Sequence, residues 1–265
     1  MVPFVALTLE SETNLMKQAI AIFIFIYHFT TVASAQLTGP LGTTSAQSNF
    51  AQYLRLSSVD GDTNKSGDAP TFNNREHTEG KRFLLDFWVK GNSVKDANNQ
   101  PLDVSSYFFN YDMQSGNLLV TENKRNIMSI APSGVRTFTL ESGSRKFLFV
   151  HVPVIDSNRF FLYLTGGDSL FTLYKECKVK FIKSDYHNDG LIQTGNPNDV
   201  YTDISLYYIT RPNDNTFRQI SFKPKDIKNL LVSKKEMVSR YFSDHADDEI
   251  NEVFLSGLIN NINQN

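Results

Sequence analysis

From Phe171 to Phe181 the chain alternates. Phe171, Leu173, Cys177, Val179 and Phe181 are apolar, while Thr172, Tyr174, Glu176, Lys178 and Lys180 between them are mostly polar. Side chains on a strand point to opposite faces in turn, so this pattern predicts a strand with one wet face. Weaker versions of the same alternation predict strands over 83–90, 106–113, 117–121, 135–140, 146–152, 159–165, 200–210 and 217–222. Turn-forming groups separate them: Asn98-Asn99-Gln100-Pro101, Gln114-Ser115-Gly116, Pro132-Ser133-Gly134, Ser142-Gly143, Gly166-Gly167-Asp168 and Pro212-Asn213-Asp214. Short strands at this spacing imply an antiparallel meander, curled into a sheet, sandwich or partial barrel.

The period changes after residue 222. Pro224 suits a first helical position, and Ile227, Leu230 and Leu231 follow at helical spacing. Ser233 is expected to cap a second helix carrying Met237, Val238, Tyr241 and Phe242. Asp247 and Asp248 are expected to open a third, whose stripe is Ile250, Val253, Phe254, Leu258 and Ile262. The expected class is therefore mainly β of the α+β kind. A β domain at 81–222 is closed by helices at 223–265, and the polar stretch 36–80 reads as a flexible lead-in.

The N-terminal region follows another logic. Lys17 precedes an 11-residue apolar run at 19–29, and Ala33-Ser34-Ala35 precedes Gln36. A basic start, an apolar segment of about 7–15 residues and an A-x-A site form a cleavable export signal. Residues 16–35 are read as that signal, with Ala33 and Ala35 fitting the peptidase and Gln36 as the first mature residue. The run is shorter than the roughly 20 apolar residues that a spanning helix needs. Glu10 and Glu12 do not suit the start of a signal. Residues 1–15 are therefore expected to be a non-native extension, with translation beginning at Met16. The expected destination is the periplasm or the cell exterior, with no stable membrane insertion after cleavage. A transmembrane barrel fits poorly with charged strand faces and a helical end.

Composition narrows the function. The 26 basic and 28 acidic side chains give a net charge of −2, without the basic footprint that nucleic-acid binding leaves. Cys177 is the single cysteine, so no intramolecular disulfide can form. Its place on the apolar side of a strand predicts a buried, inert thiol. No cofactor motif is present. The loop Asp60-Gly61-Asp62-Thr63-Asn64-Lys65-Ser66-Gly67-Asp68 has calcium-loop spacing, but Lys65 stands where the turn glycine belongs. Asp185-Tyr186-His187-Asn188-Asp189 could turn three ligands to one side, yet a zinc site normally draws on a second segment. His151 shares a strand face with Phe147 and Phe149 and reads as a packing imidazole. Tyr201, Tyr207 and Tyr208 could form a binding strip or simply pack across strands.

The strings Phe109-Asn110-Tyr111-Asp112, Gly116-Asn117-Leu118-Leu119-Val120-Thr121, Phe138-Thr139-Leu140 and Leu173-Tyr174-Lys175 resemble exported, functionally uncharacterised proteins of Bacteroidetes-type bacteria. The Tyr207-Tyr208 strand and the closing helices look similar too. The resemblance implies export and a meander with a helical tail; it implies no catalytic residue. The expected function is non-enzymatic binding of a ligand, polymer or partner protein in the envelope or outside the cell. The alternative is a hydrolase of envelope or extracellular polymers, using His151, Asp185, His187 and Asp189. A third possibility, a lipid or outer-membrane-protein carrier, would require a large apolar concavity.

Overall fold

The computed structural model describes Phe50 and residues 77–264, apart from 168–169, 189, 191 and 212–215. The expected export signal at 16–35 with its expected cleavage site at Ala33, Ala35 and Gln36, the expected extension at 1–15, the calcium-like loop at 60–68 and Asp189 all lie outside these residues.

In chain order the strands are β1 (Thr78–Glu79), β2 (Val89–Lys90), β3 (Ser93–Asp96), β4 (Pro101–Leu102), β5 (Phe108–Asp112), β6 (Asn117–Thr121), β7 (Met128–Ile130), β8 (Val135–Ser142) and β9 (Arg145–His151). They continue as β10 (Phe160–Thr165), β11 (Thr172–Glu176), β12 (Val179–Ile182), β13 (His187–Asn188), β14 (Gln193–Thr194), β15 (Asp199–Asp203), β16 (Leu206–Thr210) and β17 (Phe217–Ile220). Three helices follow: α1 (Pro224–Leu230), α2 (Lys235–Asp244) and α3 (Glu252–Gln264). The architecture is mainly β, with several antiparallel sheets and C-terminal helices, and the sheets do not close into a barrel.

An eight-stranded sheet runs β17-β16-β11-β10-β9-β8-β3-β4, and a four-stranded sheet runs β2-β5-β6-β7. Directly paired residues share a face. One row therefore crosses the whole large sheet: Leu102, Val94, Phe138, Phe149, Leu162, Lys175, Tyr207 and Ile220. Its first five members pack with Tyr111, Phe109, Leu118 and Val120 of the smaller sheet. Phe138 and Phe149 stack at 4.9 Å, and Tyr111 lies 4.4 Å from Phe149. At the other end the sheet meets the helices, where Leu173, Ile209 and Ile220 pack with Ile227, Leu255, Leu258, Ile259 and Ile262.

Lys175 marks the place in the row where the cover changes from sheet to helix. Its ammonium reaches Glu252 in the first turn of α3 at 2.9 Å, and the Tyr207 hydroxyl donates to the same carboxylate oxygen, also at 2.9 Å. Burial disfavours the charged amine, but the hydrogen bond and charge of Glu252 outweigh it and hold its pKa above the ordinary lysine value. A charged residue in a core row is tolerated because it is paired.

Several local expectations need correction. Only Val89–Lys90 of the predicted 83–90 strand pairs regularly, with a lone bridge at Phe83. The buried Asn110 side chain substitutes for a strand there: its oxygen accepts the Leu85 amide at 3.2 Å and its nitrogen donates to the Leu85 carbonyl at 2.8 Å. Ser233 lies in a short 3-10 turn rather than capping α2, whose N-terminus at Lys234 has no side-chain cap. Asp247 and Asp248 precede the last helix without opening it. Asn251 caps α3, its oxygen accepting the Val253 and Phe254 amides at 2.9 and 3.2 Å. Finally, Phe50 and β1 extend the folded part upstream of residue 81. Phe50 is fully buried and packs edge-on against Tyr107 at 4.7 Å.

Candidate functional site

The run from Phe171 to Phe181 is not one strand. It enters the large sheet as β11, breaks at Cys177-Lys178, and continues as β12 in a separate sheet of order β1-β15-β12. Its partner breaks at the matching point: β16 pairs with β11, and β15 with β12. The result is a two-strand ribbon whose inner half belongs to the large sheet and whose outer half leaves it. Bonds across the break keep the strands together, from the Lys178 amide to Ser205 Oγ at 3.3 Å and from the Ile204 amide to the Lys178 carbonyl at 2.9 Å.

A charged cluster sits at the base of the ribbon, on the face of the large sheet away from the cores. Glu176 is 4% exposed and faces Lys178 Nζ at 3.3 Å and Arg159 Nε at 3.4 Å. The Tyr208 hydroxyl donates to it at 3.1 Å. Burial, followed by the Glu176 charge, pushes the Tyr208 phenol up to about 12. Arg159 also donates from Nη2 to the Gln114 carbonyl at 2.9 Å, which ties the cluster to the β5–β6 turn. Two cations enclosing one carboxylate, with a tyrosine donor, make a brace.

The outer half is different. Phe181 is 38% exposed and Ile182 44%, on opposite faces of β12. Ile204, Tyr186 and Ile192 are exposed as well, Ile192 at 65%. Tyr201 packs on Phe181 with ring centres 4.9 Å apart. Behind Tyr201 lies Arg82, whose Nη2 is 2.7 Å from the buried Asp112 carboxylate. That hydrogen bond, partly opposed by burial, raises the Arg82 pKa. Gly80, at a φ of +75°, closes β1 against this strand; a methyl group there would strike the Tyr201 carbonyl.

Two of the sequence-selected residues lie beyond the outer half, in the segment joining β12 to β15. Asp185 is exposed and accepts the Asn196 amide at 2.7 Å. His187 is exposed on β13, opposite Thr194. His151 is far along the chain on β9, with Nε2 3.1 Å from the Ser157 carbonyl oxygen and its ring edge-on to Phe160. The structure does not gather these three. Among the described residues, no group of three or more His, Cys, Asp or Glu side chains is placed to hold a metal ion.

Cys177 is buried, and burial pushes its thiol up to about 12. Tyr207 and Tyr208 fall on opposite faces and serve different clusters, so the three tyrosines form no single strip. Sequence reasoning missed the ribbon because alternation continues unbroken through the break. The one available signal was composition, since 178–183 reads Lys-Val-Lys-Phe-Ile-Lys without an acid. Among the described residues, no helix is long and apolar enough to cross a membrane. No protein-family model, curated protein or solved structure matches the chain.

Proposed function

We propose that the protein is an exported, non-enzymatic binding domain that holds a partner protein in the cell envelope or outside the cell through the outer half of its β12–β15 ribbon. One observation carries the reading. Five of the ten large apolar side chains that are exposed among the described residues, Phe181, Ile182, Tyr186, Ile192 and Ile204, fall between residues 181 and 204. Scattered surface apolar groups are ordinary, but their concentration in one stretch of the chain, from β12 through the connection to the end of β15, supports an interaction surface. The brace at Glu176 supports the reading, because it fixes the base of the ribbon while leaving its outer half uncovered by either core. Export rests on the signal at 16–35 and on the resemblance to exported Bacteroidetes-type proteins.

The test is a photo-crosslinking residue in place of Ile182, with Lys235 on the exposed start of α2 as the control site, in cells exporting the protein. The expected result is a discrete adduct from position 182, none from position 235, and loss of the adduct when Phe181→Ser and Ile204→Ser are combined. Equal or absent labelling at the two sites would overturn the reading. The same preparation reports its own N-terminus, and a mature mass beginning at Gln36 is expected.

A further inference from the structure

We propose that the outward edge of β12 accepts an extended segment of the partner protein as an added strand, and that this segment places a carboxylate on each side of two adjacent apolar side chains. The proposal rests on the binding reading above and specifies its chemistry.

The backbone supplies the first argument. In an antiparallel pair, alternate residues turn their amide groups toward the partner strand and the rest turn them away. The Lys178 carbonyl accepts the Ile204 amide, so Lys178, Lys180 and Ile182 bond inward to the β15 side. Val179 has the opposite parity, and its N–H donates away from β15, to the Met113 carbonyl at 3.4 Å. Phe181 therefore directs both its N–H and its C=O outward, and Lys183 follows in the same register. β12 ends the order β1-β15-β12, so among the described residues no strand meets these groups. An open edge of this kind is a template for strand addition.

Charge supplies the second argument and selects the occupant. The stretch 178–183 carries Lys178, Lys180 and Lys183 and no acid. Lys178 is drawn to Glu176, whereas neither Lys180 nor Lys183 takes part in an ion pair among the described residues. The acids across the ribbon are engaged locally: Asp199 accepts the Ser184 amide at 2.7 Å and Asp203 the Ser205 amide at 2.8 Å. A second copy adding its own β12 would bring lysines against lysines, which disfavours self-pairing. A segment with Asp or Glu beside Lys180 and Lys183, and apolar groups beside Phe181 and Ile182, matches both charge and surface.

The experiment uses the full mature chain and two fluorescein-labelled probe peptides, one built on Glu-Val-Val-Glu and one on Lys-Val-Val-Lys, read by anisotropy. The glutamate peptide is expected to bind at least about tenfold more tightly than the lysine peptide. Phe181→Pro removes an outward donor without removing a β15 hydrogen bond. It is expected to weaken glutamate-peptide binding by about tenfold with the thermal midpoint little changed. Lys180→Glu combined with Lys183→Glu is expected to reverse the preference. Equal binding of the two peptides, or unaltered binding by Phe181→Pro, would overturn the proposal. So would a wild-type dimer in sedimentation that Phe181→Pro converts to monomer, because the edge would then be pairing with itself. An Ile182 adduct that survives Phe181→Pro in cells would sink the strand addition but spare the binding reading. Absence of any adduct would sink both.

Discussion

The two halves of the β11–β12 and β15–β16 ribbon share the same two strands and the same alternating pattern, but their surroundings differ. In the inner half Leu173 and Ile209 are buried against the helices, and Glu176 is enclosed by Arg159, Lys178 and Tyr208. In the outer half Lys180, Phe181 and Ile182 are all exposed. Alternation thus defines which side chains share a face, but not whether anything covers that face. Coverage comes from elements far away in the chain, such as α3, whose Asn263 side chain bonds the Phe171 backbone on both sides, at 3.1 and 2.8 Å.

Mutation can break this contrast, most severely at the packed end. Phe149→Ala, within the Tyr111–Phe138–Phe149 stack, is expected to cost about 3–5 kcal/mol in urea unfolding. A loss below about 1 kcal/mol would mean that the sheet-to-sheet core is looser than its burial indicates. Glu176→Ala should come next, at about 3 kcal/mol, because it leaves Arg159 nearly buried without its carboxylate. Replacing both partners, by Arg159→Met with Glu176→Leu, should restore most of that loss.

A smaller effect follows from pH. Burial raises the Cys177 thiol to about 12, whereas an unfolded cysteine ionises near 8.5. The folded chain therefore keeps a proton that the unfolded chain releases, and stability falls as pH rises between those values. Relative to Cys177→Ala, the wild type should lose about 2 kcal/mol by pH 10. A pH-independent difference between the two would contradict a buried thiol. Smallest of all, Phe181→Ala should change stability by less than about 0.5 kcal/mol, as for an uncovered surface position. A cost comparable to Phe149→Ala would show that the outer half is packed after all and remove the basis for a binding surface.

The class of fold was legible because strand period, turn residues and the helical C-terminus each carry a local signal. Pro224 opens α1 at the expected place, and Cys177 is buried as its strand face implied. What was not legible depended on partners distant in sequence. The Asn110 amide replaces a strand at Leu85 across 25 residues. The ribbon breaks where Lys178 meets Ser205 and Ile204, a bond pattern that no periodicity encodes. Asn251 caps α3 in place of Asp247 or Asp248, since the capping side chain must stand immediately before the first helical turn. The ribbon site escaped for the same reason, because exposure depends on what the rest of the chain leaves uncovered.

β1 joins the ribbon by parallel pairing, Thr78 with Asp199 and Glu79 with Val200. These partners are 121 positions apart (199 − 78), and closing so long a loop is slow compared with forming the hairpins between neighbouring strands. If the chain emerges N-terminus first, β1 is in place early but has nothing to pair with until almost all the other strands have appeared. The outer half of the ribbon is thus among the last parts to be assembled, and until then β1 and β12 both lack their shared partner. The timing of synthesis sets a brief interval in which the nascent chain is most exposed to mispairing, and it is the arrival of β15 that ends it.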